Sequence, residues 1–101
     1  MKPVSNDDRN SLQRLIKVAK NKTPQSAPVA NFLLAWWDAK AYGGFDLTEL
    51  WHVDHDFVGD MMNVIRIIAL EQSSPAALGY AEDFATIIKN WRSNVTQPTG
   101  D

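Results

Sequence analysis

Residues 28–51 read PVANFLLAWWDAKAYGGFDLTELW, and they decide the fold: three of the four tryptophans, a double glycine and a helix-start signal fall within this one stretch. Val29, Phe32, Leu33 and Trp36 recur at the spacing of one helical face, and Ala30, Leu34, Trp37 and Ala41 make a second face about 100° further round. Only Asn31, Asp38 and Tyr42 leave a polar arc. A helix that is apolar over most of its circumference is enclosed by others, so 27–42 is expected to be a central helix, with Ser26 as N-cap and Pro28 in its first turn. Gly43 and Gly44 stop it, because glycine tolerates the left-handed backbone of a helix C-terminus. Asp46 with Glu49 three residues on is a capping-box-like start for a short turn through Leu50 and Trp51, which Phe45 and Leu50 are placed to staple.

Working outward, Leu12, Leu15, Ile16 and Ala19 form the buried stripe of an amphipathic helix over 7–20. Ser5 or Asn6 caps it, with acids in its first turn and lysines in its last. The segment NKTPQSAP then serves as a linker. Downstream, Asp54 caps a helix over 55–72 with a core face of Phe57, Met61, Val64, Ile65 and Ile68. Ser73-Ser74-Pro75 closes that helix and opens a last one, whose stripe is Ala77, Ala81, Phe84, Ala85, Ile88, Trp91 and Val95 and which Gly79 is placed to divide. No strand pair, internal repeat or low-complexity segment interrupts the pattern. The expected fold is all-α, a compact bundle of four to five helices around the central helix 27–42, one domain over 1–101 with 1–5 and 96–101 frayed.

The 101 residues are enough to bury one core without staples. The absence of cysteine removes disulfide frameworks, thiolate catalysis and cysteine zinc sites together, and fits a reducing cytoplasm. MKPVSNDDRN lacks the apolar stretch of a signal peptide, and no apolar run approaches the ~20 residues that span a bilayer. A cytoplasmic protein that does not enter membranes is expected. The net charge is only −2, yet it is unevenly spread: 1–22 carry six Lys/Arg against two Asp, and 23–65 carry one Lys against six Asp/Glu.

Four groups of residues bear on function. WHVDHD and the following Asp60 place His52, Asp54, His55, Asp56 and Asp60 close in sequence, but the spacing matches no helical zinc motif, and capping accounts for Asp54 and Asp56. Arg9, Arg14, Lys17 and Lys20 project away from the apolar stripe of the first helix and Lys22 extends them, a strip able to track phosphates or dock a partner. Trp36 and Trp91 fall on core stripes, whereas Trp37 and Trp51 are less committed, and Trp37 is a candidate interface or stacking residue. Arg66, Ile67 and Leu70, on the outer side of helix 55–72, join Trp37 as a candidate partner surface. No nucleophile elbow, phosphate loop or metal-ligand spacing is present, so no enzyme, cofactor or metal is expected.

The run GGFDLTELWHVDHDFVGDMMNVIRIIALE and the later FATIIKNW resemble a family of uncharacterised small proteins carried on bacterial integrative elements and plasmids. Phe45, Asp46, Leu47, Thr48, Leu50, Asp54, Glu71, Phe84 and Trp91 carry the likeness, and with helix 27–42 it covers about two-thirds of the chain. Gln72 and Ser73 stand where such proteins tend to show an apolar residue and a histidine, so any site using that histidine is absent. The resemblance implies a mobile-element or phage cargo protein that binds a host component. In size, class and implied context the chain is also similar to anti-CRISPR proteins, including helical inhibitors of type I systems, although it carries no anti-CRISPR motif. The partner implied is a host complex, such as a CRISPR effector, or its nucleic acid. The alternative is a structural or regulatory interaction module, a homodimer built on the second stripe of helix 27–42.

Overall fold

The structure, a computed structural model, describes residues 3–93; the expected fraying of 96–101 lies outside the described residues, as do residues 1 and 2. Helix α1, Asn6–Lys20, starts from a complete capping box. The Ser5 hydroxyl accepts the Asp8 amide at 3.2 Å, and the Asp8 carboxylate accepts the Ser5 amide at 3.0 Å. Ser5 is thus held in place, and Val4 packs on the core, where fraying was expected. Leu12, Leu15, Ile16 and Ala19 are buried as their spacing requires, and α1 is the helix that packs against α2, α3 and α4 alike.

Helix α2, Ser26–Tyr42, is enclosed along its first half: Val29, Ala30, Leu33 and Leu34 are inaccessible to solvent and Phe32 nearly so, so both stripes face inward there. Ser26 proves to be the first helical residue rather than the cap; its buried hydroxyl accepts the Thr23 amide at 3.0 Å and ties down the preceding turn. The enclosure ends after Trp37. Asp38 leaves helical geometry (φ −166°, ψ 91°), and its carboxylate accepts the Ala41 amide at 3.1 Å, acting as a cap inside the helix. One last turn follows, in which Ala41 is exposed, so the second stripe stops short of it. Gly43 ends the helix at φ 97°, a backbone that side-chain-bearing residues rarely adopt.

The short turn is a 3-10 helix, η1, Leu47–His52. Asp46 caps it, accepting the Thr48 amide and hydroxyl, but Glu49 does not close the box. Its carboxylate instead accepts the Asn31 side-chain amide of α2 at 2.9 Å. Phe45 packs edge-on against Phe32, 5.4 Å between centroids.

Helix α3, His55–Glu71, follows Asp54, whose side chain makes no capping bond. Its buried residues are Asp60, Met61, Val64 and Ile67, while Ile65 stands out in solvent. The core face is therefore rotated by roughly 50° from the expected one, counting 100° per residue. The cause is polar: Asp60 turns inward because Ser11 and Arg14 of α1 take both its carboxylate oxygens. The turn after Pro75 ends at Gly79 (φ 98°), so that glycine does set the start of α4, Ala81–Trp91. Phe84 and Ile87 are its buried residues; Ala77, Ala81 and Ala85 are exposed, and Val95 lies outside the described residues. The result, among the described residues, is an all-α bundle of four helices and a 3-10 turn. None of its helices is long and apolar enough to cross a membrane among the described residues.

Candidate functional site

The basic strip of α1 is largely absorbed by the fold. Arg9 pairs with Glu71 at 2.9 Å, Arg14 with Asp60 at 2.8 Å, and Lys20 with Asp83. Lys22 donates to the Asn90 carbonyl at 2.8 Å and lies 3.8 Å over the Trp91 ring. Only Lys17 of the five has no ion pair or side-chain hydrogen bond among the described residues. Arg9, Arg14 and Lys20 thus tie α1 to α3 and α4, while the Arg9 and Arg14 side chains stay 42 % and 56 % exposed. The Arg14 guanidinium is held even more firmly protonated than usual, first by its hydrogen bonds to Asp60 and then by that carboxylate's charge.

The histidine-aspartate cluster does not converge. Asp60 is buried and accepts from Ser11 at 2.8 Å and from two guanidinium nitrogens of Arg14, and Asn63 completes the network by donating to Ser11 at 2.9 Å. His52, Asp54, His55 and Asp56 are exposed. Among the described residues no group of three or more His, Asp or Glu is placed to hold a metal ion. The open cleft lined by Arg14, Asp54, Asp56, Phe57 and Asp60 already contains its own cation, the Arg14 guanidinium.

The expected partner surface is corrected at Ile67, and Trp37 and Arg66 are partly engaged within the fold. Ile67 is fully buried, which follows from the rotation of α3. Trp37 is half-buried and stacks on Phe84 of α4, with centroids 5.5 Å apart. Arg66 reaches the Asp8 carboxylate at 3.5 Å and the Pro3 carbonyl at 3.3 Å. Leu70 is the most exposed of the four residues, at 38 %.

A different apolar surface stands out. Trp51 is 80 % exposed, Leu47 73 %, Met62 62 % and Ile65 52 %. Leu47 and Trp51 come from η1, a 3-10 helix with no buried residue of its own. Met62 and Ile65 belong with Val58 and Ala69 to an outward stripe of α3 at i, i+4, i+7, i+11 spacing. Leu47 also lines an open groove of about 450 Å³ between α2 and α3, together with Phe32, Ala35, Trp36, Phe45 and Ile68. Its walls are set: Phe45 is braced on Phe32, and the Trp36 indole N–H is held by the Ser73 carbonyl at 3.3 Å. Asp46, Asp54 and Asp56 lie along the same segment, and none of them has an ion-pair partner among the described residues. The two Thr48 hydrogen bonds, hydroxyl first and amide second, keep the Asp46 carboxyl below its ordinary range and therefore ionised.

Trp51 carried a signal that sequence spacing left unused, since a tryptophan in a six-residue 3-10 helix has no long helix to bury it. Ile65 gave none, because it fits the apolar period of α3 as well as Ile67 does. The groove's six lining residues offer apolar contact and, among the described residues, include no acid, base or nucleophile. A family model described as a family of unknown function (DUF7673) matches residues 9–92. No curated protein and no solved structure matches the chain.

Proposed function

The chain belongs to DUF7673, a family of unknown function, and we propose that it is a non-catalytic binding protein whose working surface is the exposed apolar side of η1 and α3. One observation carries this reading: Leu47 and Trp51 stand 73 % and 80 % exposed on a six-residue 3-10 helix with no buried residue, and Leu47 lines an apolar groove with Phe32, Trp36, Phe45 and Ile68. Large apolar side chains gathered in solvent mark contact surfaces, and tryptophan is a favoured interface anchor. In its specific form the partner is a cytoplasmic host defence complex, such as a CRISPR effector, which the protein inhibits by occupying it. That form draws on the mobile-element resemblance carried by Phe45 to Trp91, not on geometry. Phosphate tracking by α1 draws little support, since Glu71, Asp60 and Asp83 already hold three of its cations. A homodimer through the second stripe of α2 draws little either, because Ala30 and Leu34 lie in the chain's own core.

The test compares wild type with the double variant Leu47→Asp/Trp51→Ala, verified as folded by circular dichroism. Both are used as bait for host proteins and expressed during phage plating on a strain with active CRISPR immunity. Wild type is expected to retain a defined complex and to restore plating, and the variant to lose both. Failure to restore plating across subtypes would sink the inhibitor form, and retention of the complex undiminished by the variant would sink the surface.

A further inference from the structure

We propose that Arg92, at the end of α4, positions the η1 contact surface through Asn31 of α2. The inference deepens the binding reading above and rests on it for the role of Leu47 and Trp51. η1 has no buried residue; Leu50 packs only partly on the core, and Val53 anchors the chain just after it. Two side chains from the α2 end of the bundle complete the attachment. Gln25 Oε1 accepts the Asp54 amide at 2.7 Å beyond the far end of η1, and the Asn31 side-chain amide donates to Glu49 Oε1 at 2.9 Å in its middle. The first tether is direct. The second has a third member, because Arg92 Nη2 donates to Asn31 Oδ1 at 2.6 Å.

Chemistry fixes the polarity of this relay. A guanidinium only donates and a carboxylate only accepts, so the Asn31 amide must turn its oxygen to Arg92 and its nitrogen to Glu49. Neither Arg92 nor Glu49 has an ion pair among the described residues, so the amide between them is the side chain that each charge meets. All three side chains are half-buried, where charge-assisted bonds are less weakened by water than on an open surface. The guanidinium is delivered from a fixed point. Trp91 donates its indole N–H to the Ala19 carbonyl at 2.6 Å, Asn90 donates to the Lys20 carbonyl at 3.1 Å, and Arg92 Nε donates to the Tyr42 carbonyl at 3.1 Å. The end of α4 is thereby fastened to α1 and α2, and without the guanidinium the Asn31 amide is free to turn away from Glu49. Glu49 lies midway between Leu47 and Trp51 in the same short helix, so its release loosens both.

Hydrogen exchange is followed by mass spectrometry on the full chain, reading amides 47–53, for wild type, Arg92→Met, Asn31→Asp and Asn31→Asp/Glu49→Gln, with folding checked by thermal melts. Arg92→Met is expected to speed exchange in 47–53 about tenfold while amides in α1 and the middle of α3 keep wild-type rates. Asn31→Asp is expected to do the same although it strengthens the contact with Arg92, since its carboxylate then faces Glu49 with no donor between them. Adding Glu49→Gln restores a donor opposite an acceptor with the polarity reversed, and should bring exchange back to within about twofold of wild type. A side chain that merely fastens α4 would give no such rescue. Unchanged exchange in Arg92→Met, or a double variant as loose as Asn31→Asp alone, overturns the proposal; should Arg92→Met not fold, the comparison of Asn31→Asp with its double variant decides it. If 47–53 loosens and is rescued as expected while Leu47→Asp/Trp51→Ala keeps the host complex, the binding reading falls and the positioning of η1 by Arg92 stands. If 47–53 is unmoved while that variant loses the complex, the positioning falls and the binding reading stands.

Discussion

Trp37 lies nearly parallel to Phe84, with ring centroids 5.5 Å apart and planes at 20°, while Trp36 meets the same ring edge-on at 5.9 Å and 89°. Two consecutive residues of α2 thus share one buried side chain of α4. The kink at Asp38 comes directly after this pair, where α2 ceases to be covered.

Phe84→Ala should cost about 3–5 kcal/mol, the range for a fully buried phenylalanine that leaves a cavity. Trp37→Ala should cost less, about 1–2 kcal/mol, since the ring is only half-buried and much of its contact is the one stacked pair. Urea unfolding followed by circular dichroism separates the two. The reverse ranking would mean that Trp37, not Phe84, anchors the α2–α4 contact.

Trp51→Ala and Leu47→Ala should each leave the stability of the isolated protein within about 0.5 kcal/mol, as for other surface sites. The same changes should lower the binding of a hydrophobic dye to the native state. A loss of more than about 1 kcal/mol in thermal denaturation would place these side chains in the core rather than on a contact surface.

Gly59 and Gly43 should respond to alanine in opposite directions. Gly59 lies inside α3 with ordinary backbone angles, and an added Cβ meets nothing within 4 Å, so Gly59→Ala should stabilise by about 0.5–1 kcal/mol. Gly43 has equal space but φ 97°, so Gly43→Ala should destabilise by about 1 kcal/mol through backbone strain alone. Melting temperatures of the two variants provide the comparison.

Asp8 sets part of the acid response. The Ser5 amide, against the opposing effect of burial, and then the Arg66 guanidinium draw its carboxyl below the ordinary range. A carboxyl depressed in the folded state stabilises fully above its unfolded value and loses that contribution as pH falls through the folded one. Wild type should therefore exceed Asp8→Asn in stability by a constant margin near neutrality, with the margin shrinking below about pH 4. Thermal melts from pH 7 to pH 2 measure it, and a margin that widened on acidification would reverse the sign.

Much of the bundle was legible in local chemistry. The helix start at Ser5 or Asn6, the Leu12 to Ala19 stripe, the stop at Gly43 and the break at Gly79 each depend on residues a few positions apart, so the sequence contains all the participants. The candidate site was barely legible. On α3 the apolar residues occupy adjoining arcs, and periodicity accepts Ile65 or Ile67 inside equally well.

By itself, then, the sequence determined the all-helical class, the approximate bounds of the first three α-helices and the enclosure of the first half of α2, because propensity, capping and hydrophobic period act over single turns. Only the tertiary structure decided the rotation of α3, through the Asp60–Arg14 pair between residues 46 positions apart, and with it which isoleucine meets solvent. It also decided that Trp37 is covered by Phe84 while Trp51 is covered by nothing in the described chain. Such outcomes turn on which side chains meet across the bundle, and no interval along the chain encodes that.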